Sequence, residues 1–174
     1  MTKTFSPLRL ALSLTGALCA AALALTPSTA HAGVGFSAGG FAYTDGTSFA
    51  PSIDYRVKGL LVQVHLLDLL SGPATGGKFA VNTGADITYV VVKKKCAPEV
   101  EGVFMPGIGF RVADTGDIGF NAMAKARFGA EMKKGIGFGM YVVPALGVSN
   151  LYGKITPNYG GGVEVSAWFV EGKQ

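Results

Sequence analysis

The chain has 174 residues, of which 49% are hydrophobic and only 15% charged, and it contains 26 glycines. So little charge excludes an intrinsically disordered protein. So many glycines, each costing a helix about 1 kcal/mol relative to alanine, argue against a helical bundle or a coiled coil. The length fits a single domain.

The first 32 residues have the three parts of a secretory signal peptide. Lys3 and Arg9 give a positive start, Leu10 to Leu25 form an apolar run, and Ala30-His31-Ala32 is an A-x-A cleavage site. We therefore expect an exported protein that begins at Gly33. Without Lys3 and Arg9 the formal charge falls from +4 to +2, which does not favour binding to nucleic acid.

The predicted mature chain keeps one cysteine, Cys96, and one histidine, His65. A single cysteine cannot form an intrachain disulfide, and a structural zinc site takes about four cysteine or histidine ligands. We therefore predict no disulfide framework, no metal and no cofactor. After the leader no uninterrupted apolar stretch reaches about 18 residues, which excludes a transmembrane helix.

Beyond the leader, apolar and polar residues alternate with a period of two, which is typical of strands with one apolar face. The longest such run, Ile118 to Met132, has an apolar residue at every even position. Turn residues such as Asp45-Gly46 and Lys58-Gly59 separate the runs. The pattern predicts strands near residues 33–43, 50–58, 60–70, 78–92, 102–113, 117–132, 135–149 and 160–171.

The segment 60–70 is the one element whose type the pattern leaves open. Leu60, Val64 and Leu67 would share one face of a helix, whereas Gln63 and His65 alternate with apolar neighbours as in a strand. We predict a strand, because the alternation continues that of the neighbouring segments.

Strand length distinguishes a soluble barrel from a membrane barrel. Strands of soluble proteins commonly have about 5–6 residues, whereas a strand that crosses a bilayer needs about 9–11, and several of these segments are longer. One face of the strands is aliphatic and aromatic, and the other alternates glycine with charge, as in membrane barrels. We therefore predict an all-β chain: an eight-stranded antiparallel up-and-down transmembrane β-barrel over residues 33–174, in preference to a lipocalin-like soluble barrel.

The polar face would bring charges of both signs into the lumen. An eight-stranded barrel has an interior just wide enough for side chains to fill, and buried charges are tolerated when they are paired. Such pairs could hold the barrel closed, or could exchange partners along a narrow gated path for ions. We predict a lumen ion-pair network, with inward glycines leaving room for the long side chains, made of Asp54, Arg56, Lys58, Asp86, Arg111, Lys125, Arg127, Glu131 and Glu164.

Over the whole predicted mature chain, these features resemble the small outer-membrane barrels of the OmpA/OmpX type. The shared features are the signal peptide, eight alternating strands, short turns and a last strand that ends in Trp168-Phe169-Val170. The resemblance implies a place in the bacterial outer membrane with both chain termini in the periplasm.

In the predicted barrel, the basic turns lie at one end and the acidic turns at the other. The turns at the end that holds the termini would form a basic periplasmic rim facing phospholipid headgroups, with Lys93, Lys94, Lys95, Lys133 and Lys134. The other end would be acidic, with divalent cations bridging it to lipopolysaccharide through Asp45, Asp114 and Asp117. The predicted partners are thus outer-membrane lipids and not nucleic acid, and the sequence identifies no protein partner.

Three functions remain open from the sequence. The first is a non-enzymatic barrel with a role in envelope structure or surface interaction, the second a narrow channel or carrier for ions or small molecules, and the third a lipid-modifying enzyme. His65 is the one candidate base, and Leu66 and Leu67 follow it, so no His-x-Ser pair is present and we predict no catalytic residue. The first function is the prediction, with an outward face formed by residues 44–49, 71–77, 114–117 and 150–159.

Overall fold

The computed structural model describes residues 32–114, 118–134, 136–150 and 155–169. The predicted signal peptide lies outside these ranges except for Ala32, which begins the first strand. Within them, no helix is both long and apolar enough to cross a membrane. The described helical structure is a single 3-10 turn, Pro73–Thr75.

The described residues are otherwise mostly β-strand. The strands in chain order are β1 (Ala32–Tyr43), β2 (Gly46–Val57), β3 (Leu60–Ser71), β4 (Phe79–Tyr89), β5 (Val92–Ala97), β6 (Val100–Asp114), β7 (Ile118–Lys134), β8 (Ile136–Ser149) and β9 (Thr156–Phe169).

Antiparallel pairing closes these strands into a barrel. Each strand pairs with the next in sequence except at β4, which pairs with β6, and the first and last strands pair with each other from Gly35↔Trp168 to Tyr43↔Gly160. Both β4 and β5 pair with β6, one after the other along its length, so together they fill one position in the wall. The nine strands therefore form an eight-stranded barrel around the lumen. The predicted eight-stranded up-and-down barrel is confirmed, including the strand at 60–70.

The alternation of the sequence becomes an apolar outside and a polar inside. On the outside, Phe36 is 62% exposed and Met140 is 70% exposed. Inside, Asp54, Asp86 and Arg127 are completely buried. The side chains that fill the lumen are therefore mainly the polar set of each strand.

The two ends of the barrel are defined by the ends of the strands that they hold. The proximal rim is the end at which β1 begins and β9 ends, and the distal rim is the opposite end. At the proximal rim, a two-residue turn joins β2 to β3 through Lys58 (φ 46°) and Gly59 (φ 88°). Two successive positive φ angles are typical of a type I′ hairpin turn, in which glycine meets no steric penalty.

Several connections are shorter than the sequence pattern predicts. Residues 44–49 were expected to be a loop, but the β1–β2 turn is only residues 44–45 because Tyr43 already pairs with Gly46. The predicted turn 93–101 was also wrong, since β5 pairs with β6 and leaves residues 98–99 as the turn. At the distal rim β9 begins at Thr156, and the predicted loop residues 115–117 and 151–154 lie outside the described ranges.

A β-bulge interrupts β3 in its middle. His65 pairs with Gly84 and Asp68 pairs with Asn82, so two residues of β3 face one residue of β4. Both Leu66 and Leu67 are exposed on the outside, and the strand resumes with Asp68 pointing inward. The bulge thus changes which residues beyond it face the lumen.

Candidate functional site: the charged lumen

Asp86, on β4, lies at the centre of the lumen charges. Its carboxylate contacts Arg111 Nη1 at 2.7 Å, Lys125 Nζ at 2.9 Å and Arg127 Nη2 at 3.1 Å. His65 Nε2 lies 3.3 Å from the same carboxylate. These five side chains come from β3, β4, β6 and β7, so one buried carboxylate joins half of the barrel wall.

Arg127 joins this centre to the opposite wall. Its guanidinium reaches Glu164 on β9 at 3.1 Å and donates to the Thr88 hydroxyl at 3.2 Å and to the side-chain carbonyl of Gln63. The Gln63 amide in turn donates to Asp54 at 3.0 Å and to Glu164 at 2.9 Å. Hydrogen bonds to charged groups are the stronger ones in a low-dielectric interior, so this chain of contacts ties the strands together across the lumen.

A second group of contacts lies in the lumen nearer the proximal rim. Arg56 Nη1 lies 2.6 Å from Glu131 Oε1, and its Nη2 donates to the Tyr141 hydroxyl at 2.9 Å and to Ser166 at 3.1 Å. The Arg56 guanidinium also stacks 3.7 Å from the ring centroid of Trp168. Arg56 is therefore held by a carboxylate, two hydroxyls and an aromatic face.

Inward-facing glycines leave room for these side chains, as the sequence pattern predicts. A Cβ at Gly109 would overlap the Asp86 carboxylate and come within 2.8 Å of Lys125 Cε. A Cβ at Gly137 would overlap the indole of Trp168. At these positions glycine leaves space for a side chain on the neighbouring strand and is not required by an unusual backbone angle.

The structure brings together most, but not all, of the residues predicted for the lumen network. Lys58 does not belong to it: β2 ends at Val57, and Lys58 lies exposed in the turn, so extending the alternation one residue further was wrong. The predicted members that line the lumen are Asp54, Arg56, Asp86, Arg111, Lys125, Arg127, Glu131 and Glu164.

Asp68 is a lumen residue that sequence reasoning missed. Its Oδ2 lies 3.0 Å from Arg111 Nε, and the residue is buried. An unbroken alternation through His65 would point Asp68 outward, and the bulge at Leu66 and Leu67 reverses this. The available signal was the pair of adjacent leucines, which breaks the polar–apolar alternation just before Asp68.

Asp45 is also placed differently from the prediction of an outward acidic rim. It lies in the β1–β2 turn but is buried at the distal end of the lumen, and Asn158 Nδ2 donates to its Oδ2 at 2.9 Å. Burial raises the pKa of the Asp45 carboxyl, and hydrogen bonds oppose that rise. The side chain of Asp114 and all of Asp117 lie outside what the structure describes.

The five lysines predicted for the basic rim lie at the proximal end, and all of them are on strands rather than in turns. Lys93, Lys94 and Lys95 are exposed on β5, and Lys93 Nζ lies 2.8 Å from Glu101 on β6. The backbones of Lys133 and Lys134 pair with the start of β8 at the same rim.

No protein-family model matches the chain, and no curated protein matches it. Among solved structures it is similar to the N-terminal β-barrel domain of Pseudomonas aeruginosa OprF, with 14% identity, a TM-score of 0.48 and coverage of 81% of this chain and 100% of that one. It is similar to Neisserial surface protein A, with 13% identity, a TM-score of 0.49 and coverage of 82% and 97%. A de novo designed transmembrane β-barrel shares 14% identity, with a TM-score of 0.40 and coverage of 77% and 94%.

Proposed function

We propose that this chain is a non-enzymatic β-barrel of the bacterial outer membrane, in which an ion-paired lumen closes the barrel and the protein contributes to envelope structure or surface interaction. The observation that carries this proposal is that polar and apolar side chains are distributed in the opposite way from a soluble protein. Charged side chains are buried at the centre of the barrel, and large apolar side chains are exposed around it.

The exposed apolar surface supports a lipid environment. Soluble monomers rarely expose apolar patches of more than a few hundred Å², yet nearly every strand of this barrel presents bulky side chains outward. On β8 alone these are Phe138, Met140, Val142 and Leu146, each more than half exposed. A hydrocarbon environment would cover this surface at no cost in polar desolvation, because the strands satisfy their backbone hydrogen bonds within the closed barrel.

Exposed aromatic residues lie towards both rims. Tyr89 and Phe169 end their strands at the proximal rim, whereas Phe79 and Tyr159 lie near the distal starts of theirs. Aromatic girdles at both interfaces are characteristic of transmembrane barrels. The strands β1 and β7, with 12 and 17 residues, exceed the roughly 9–11 residues that cross a bilayer, and β4 has 11.

The lumen contacts support a closed structural barrel. Asp86 is shared among three cationic side chains, and the interior of an eight-stranded barrel is filled by its own side chains. His65, the candidate base, is 1% exposed and lies against Asp86, which supports a packing role for this residue.

The exposed lysines support an orientation with the proximal rim in the periplasm. Each Lys near an anionic surface contributes about 1 kcal/mol of attraction, so Lys93, Lys94 and Lys95 would favour phospholipid headgroups of the inner leaflet. The distal rim would then face lipopolysaccharide.

Electrophoretic mobility tests the membrane-barrel part of the proposal. The chain is expressed with its leader, outer membranes are isolated, and samples in SDS are run with and without boiling. A folded barrel resists SDS and migrates differently until it is boiled. A protein absent from outer membranes, or with the same mobility in both lanes, would contradict the proposal.

Conductance tests the closed lumen separately. We expect the purified wild-type barrel in planar bilayers to show no single-channel steps. If Arg127→Ala is silent as well, the alternative of a gated path for ions is contradicted. Steps in the wild type would instead support a gated channel. Steps in Arg127→Ala alone would show that Arg127 keeps the path closed.

A further inference from the structure

We propose that the distal end of the lumen holds a binding site for a single hard divalent cation of the Ca²⁺ class. Five buried oxygen-bearing side chains surround one small cavity there, and they are called the distal oxygen cluster below: Asp45, Ser48, Asp68, Asn82 and Asn121. The proposal concerns a different part of the lumen from the Asp86 centre and does not depend on the role proposed above.

Each member of the distal oxygen cluster has an oxygen without a hydrogen-bond partner in the described part of the chain. These atoms are Oδ1 of both aspartates, Oδ1 of both asparagines and Oγ of the serine. All five residues are more than nine-tenths buried. Because an unsatisfied buried acceptor costs about 1–3 kcal/mol, five such atoms around one cavity point to an occupant.

Other contacts of the same side chains fix the orientation of these oxygens. Asp45 Oδ2 accepts from Asn158 at 2.9 Å and from Asn121 at 3.4 Å, and Asp68 Oδ2 lies 3.0 Å from Arg111 Nε. One oxygen of each carboxylate is thus fixed by the protein, while the second has no hydrogen-bond partner among the described residues. The hydrogen bond from Asn121 Nδ2 likewise assigns its Oδ1 as the free atom.

The size and chemistry of the cavity favour a cation over water. Its volume is about 10 Å³, which is space for one water molecule. One water has two hydrogens and could satisfy two of the acceptors, whereas a Ca²⁺ ion takes 6–8 oxygen ligands from carboxylates, amide carbonyls and water. All five candidate ligands are oxygens, which suit a hard cation better than a transition metal. No three His, Cys, Asp or Glu side chains of the described residues form a metal site, so the proposed ligands are two carboxylates together with amide and hydroxyl oxygens.

The charge balance of the lumen supports a divalent ion. Within the described ranges the buried carboxylates are Asp45, Asp54, Asp68, Asp86, Glu131 and Glu164. The cationic side chains that face them are Arg56, Arg111, Lys125 and Arg127. His65 aside, the buried carboxylates therefore outnumber the cationic side chains by six to four. Arg111 also lines the cavity, where its guanidinium is shared between Asp68 and Asp86.

Calcium titration of the purified barrel in detergent micelles tests the site. The protein is stripped with a chelator and then titrated with CaCl₂ at constant ionic strength, with calorimetric binding and the thermal unfolding temperature as readouts. We expect saturable binding and a higher unfolding temperature for the wild type, because a ligand that binds only the folded state stabilises it. KCl at the same ionic strength should reproduce neither effect.

Two variants locate the binding. Asp45→Asn and Asp68→Asn each remove a ligand charge and should weaken Ca²⁺ binding by about tenfold or more. Glu99→Gln makes the same chemical change in the exposed β5–β6 turn at the proximal rim and should bind as the wild type does. Should either aspartate variant fail to fold, Ser48→Ala removes a neutral ligand oxygen and should also weaken binding.

The proposal is overturned if the folded wild type shows no calcium-dependent heat or stabilisation, in which case the cavity holds water. It is equally overturned if Asp45→Asn and Ser48→Ala bind Ca²⁺ with wild-type affinity, since the ion would then sit elsewhere.

Discussion

Arg127 shows how much a single buried side chain can matter in this barrel. It is completely buried and lies against two carboxylates, Asp86 and Glu164. A buried charge of this kind stabilises the fold only together with its charged partners, because removing one partner leaves the others desolvated and uncompensated.

Arg127→Met should therefore destabilise the folded barrel by about 3–5 kcal/mol, the usual cost of breaking a buried ion pair. Urea-induced unfolding from lipid vesicles measures this loss. Lys93→Met is the control, because the Lys93–Glu101 pair is partly exposed and exposed pairs contribute about 0–1 kcal/mol. Equal losses for the two variants would contradict a structural role for the lumen pairs.

A substitution at Gly109 tests whether the inward glycines are needed to leave room for the charged side chains. Gly109→Ala places a methyl group against the Asp86 carboxylate and Lys125, so we expect it to displace that pair and lower the free energy of unfolding by about 1–3 kcal/mol, as overpacking does. Gly40→Ala is the matched control, since a Cβ at Gly40 meets no atom within 4 Å. A Gly109→Ala barrel as stable as Gly40→Ala would show that the lumen can rearrange freely.

At the scale of elements, the bulge in β3 is linked to a proline on the neighbouring strand. The pairing of β2 with β3 is interrupted between Phe49 and Ile53, and Pro51 lies within that gap. Proline has no backbone N–H to donate to a ladder, so strands accept it mainly at edges and bulges. The same irregularity brings Asp68 into the lumen, where it contacts Arg111.

The strand β5 extends the barrel wall at the proximal rim and leaves an edge. It is the last strand in the sheet order, and β6 is its neighbour among the described strands. Every residue from Val92 to Ala97 is exposed. Exposed strand edges promote pairing between molecules, and charged side chains, lysine above all, oppose it.

Replacing two of the β5 lysines should therefore promote association. We expect Lys94→Val/Lys95→Val to reduce the monomer fraction in size-exclusion chromatography in detergent, and to reduce it further on incubation. Lys78→Val removes an exposed lysine from the connection before β4 and should leave the elution unchanged. A monomeric double variant would argue against edge protection by these lysines.

At the scale of the whole molecule, the orientation of the barrel has a direct probe in Cys96. This thiol is free and exposed on β5, at the proximal rim. If that rim is periplasmic, a membrane-impermeant maleimide should leave Cys96 unlabelled in intact cells.

Permeabilising the outer membrane should then allow labelling, which mass spectrometry can assign to Cys96. A cysteine-free variant, Cys96→Ser, controls for other reactive groups. Strong labelling of intact cells would reverse the orientation and place the distal oxygen cluster towards the periplasm.

The sequence by itself determined the strands, their number around the barrel and the faces of nearly all of them. It could do so because alternation and turn residues are local signals: a residue such as Phe36 or Asp54 shows its face through its immediate neighbours. The inward glycines and the concentration of charged residues on one face could be predicted for the same reason.

Only the tertiary structure decided which charges meet and where the pattern breaks. Asp86 and Arg111, or Arg127 and Glu164, are far apart in sequence. The first contact depends on the register of β4 against β6, and the second on the registers of β7, β8 and β9. A one-residue irregularity in β3 reverses the face of Asp68, and the end of β2 at Val57 leaves Lys58 outside the lumen. A one-residue change of register reverses the side on which each following side chain lies. The adjacent leucines mark the break before Asp68, but strand register is a non-local property and the local pattern does not show which side chains then meet.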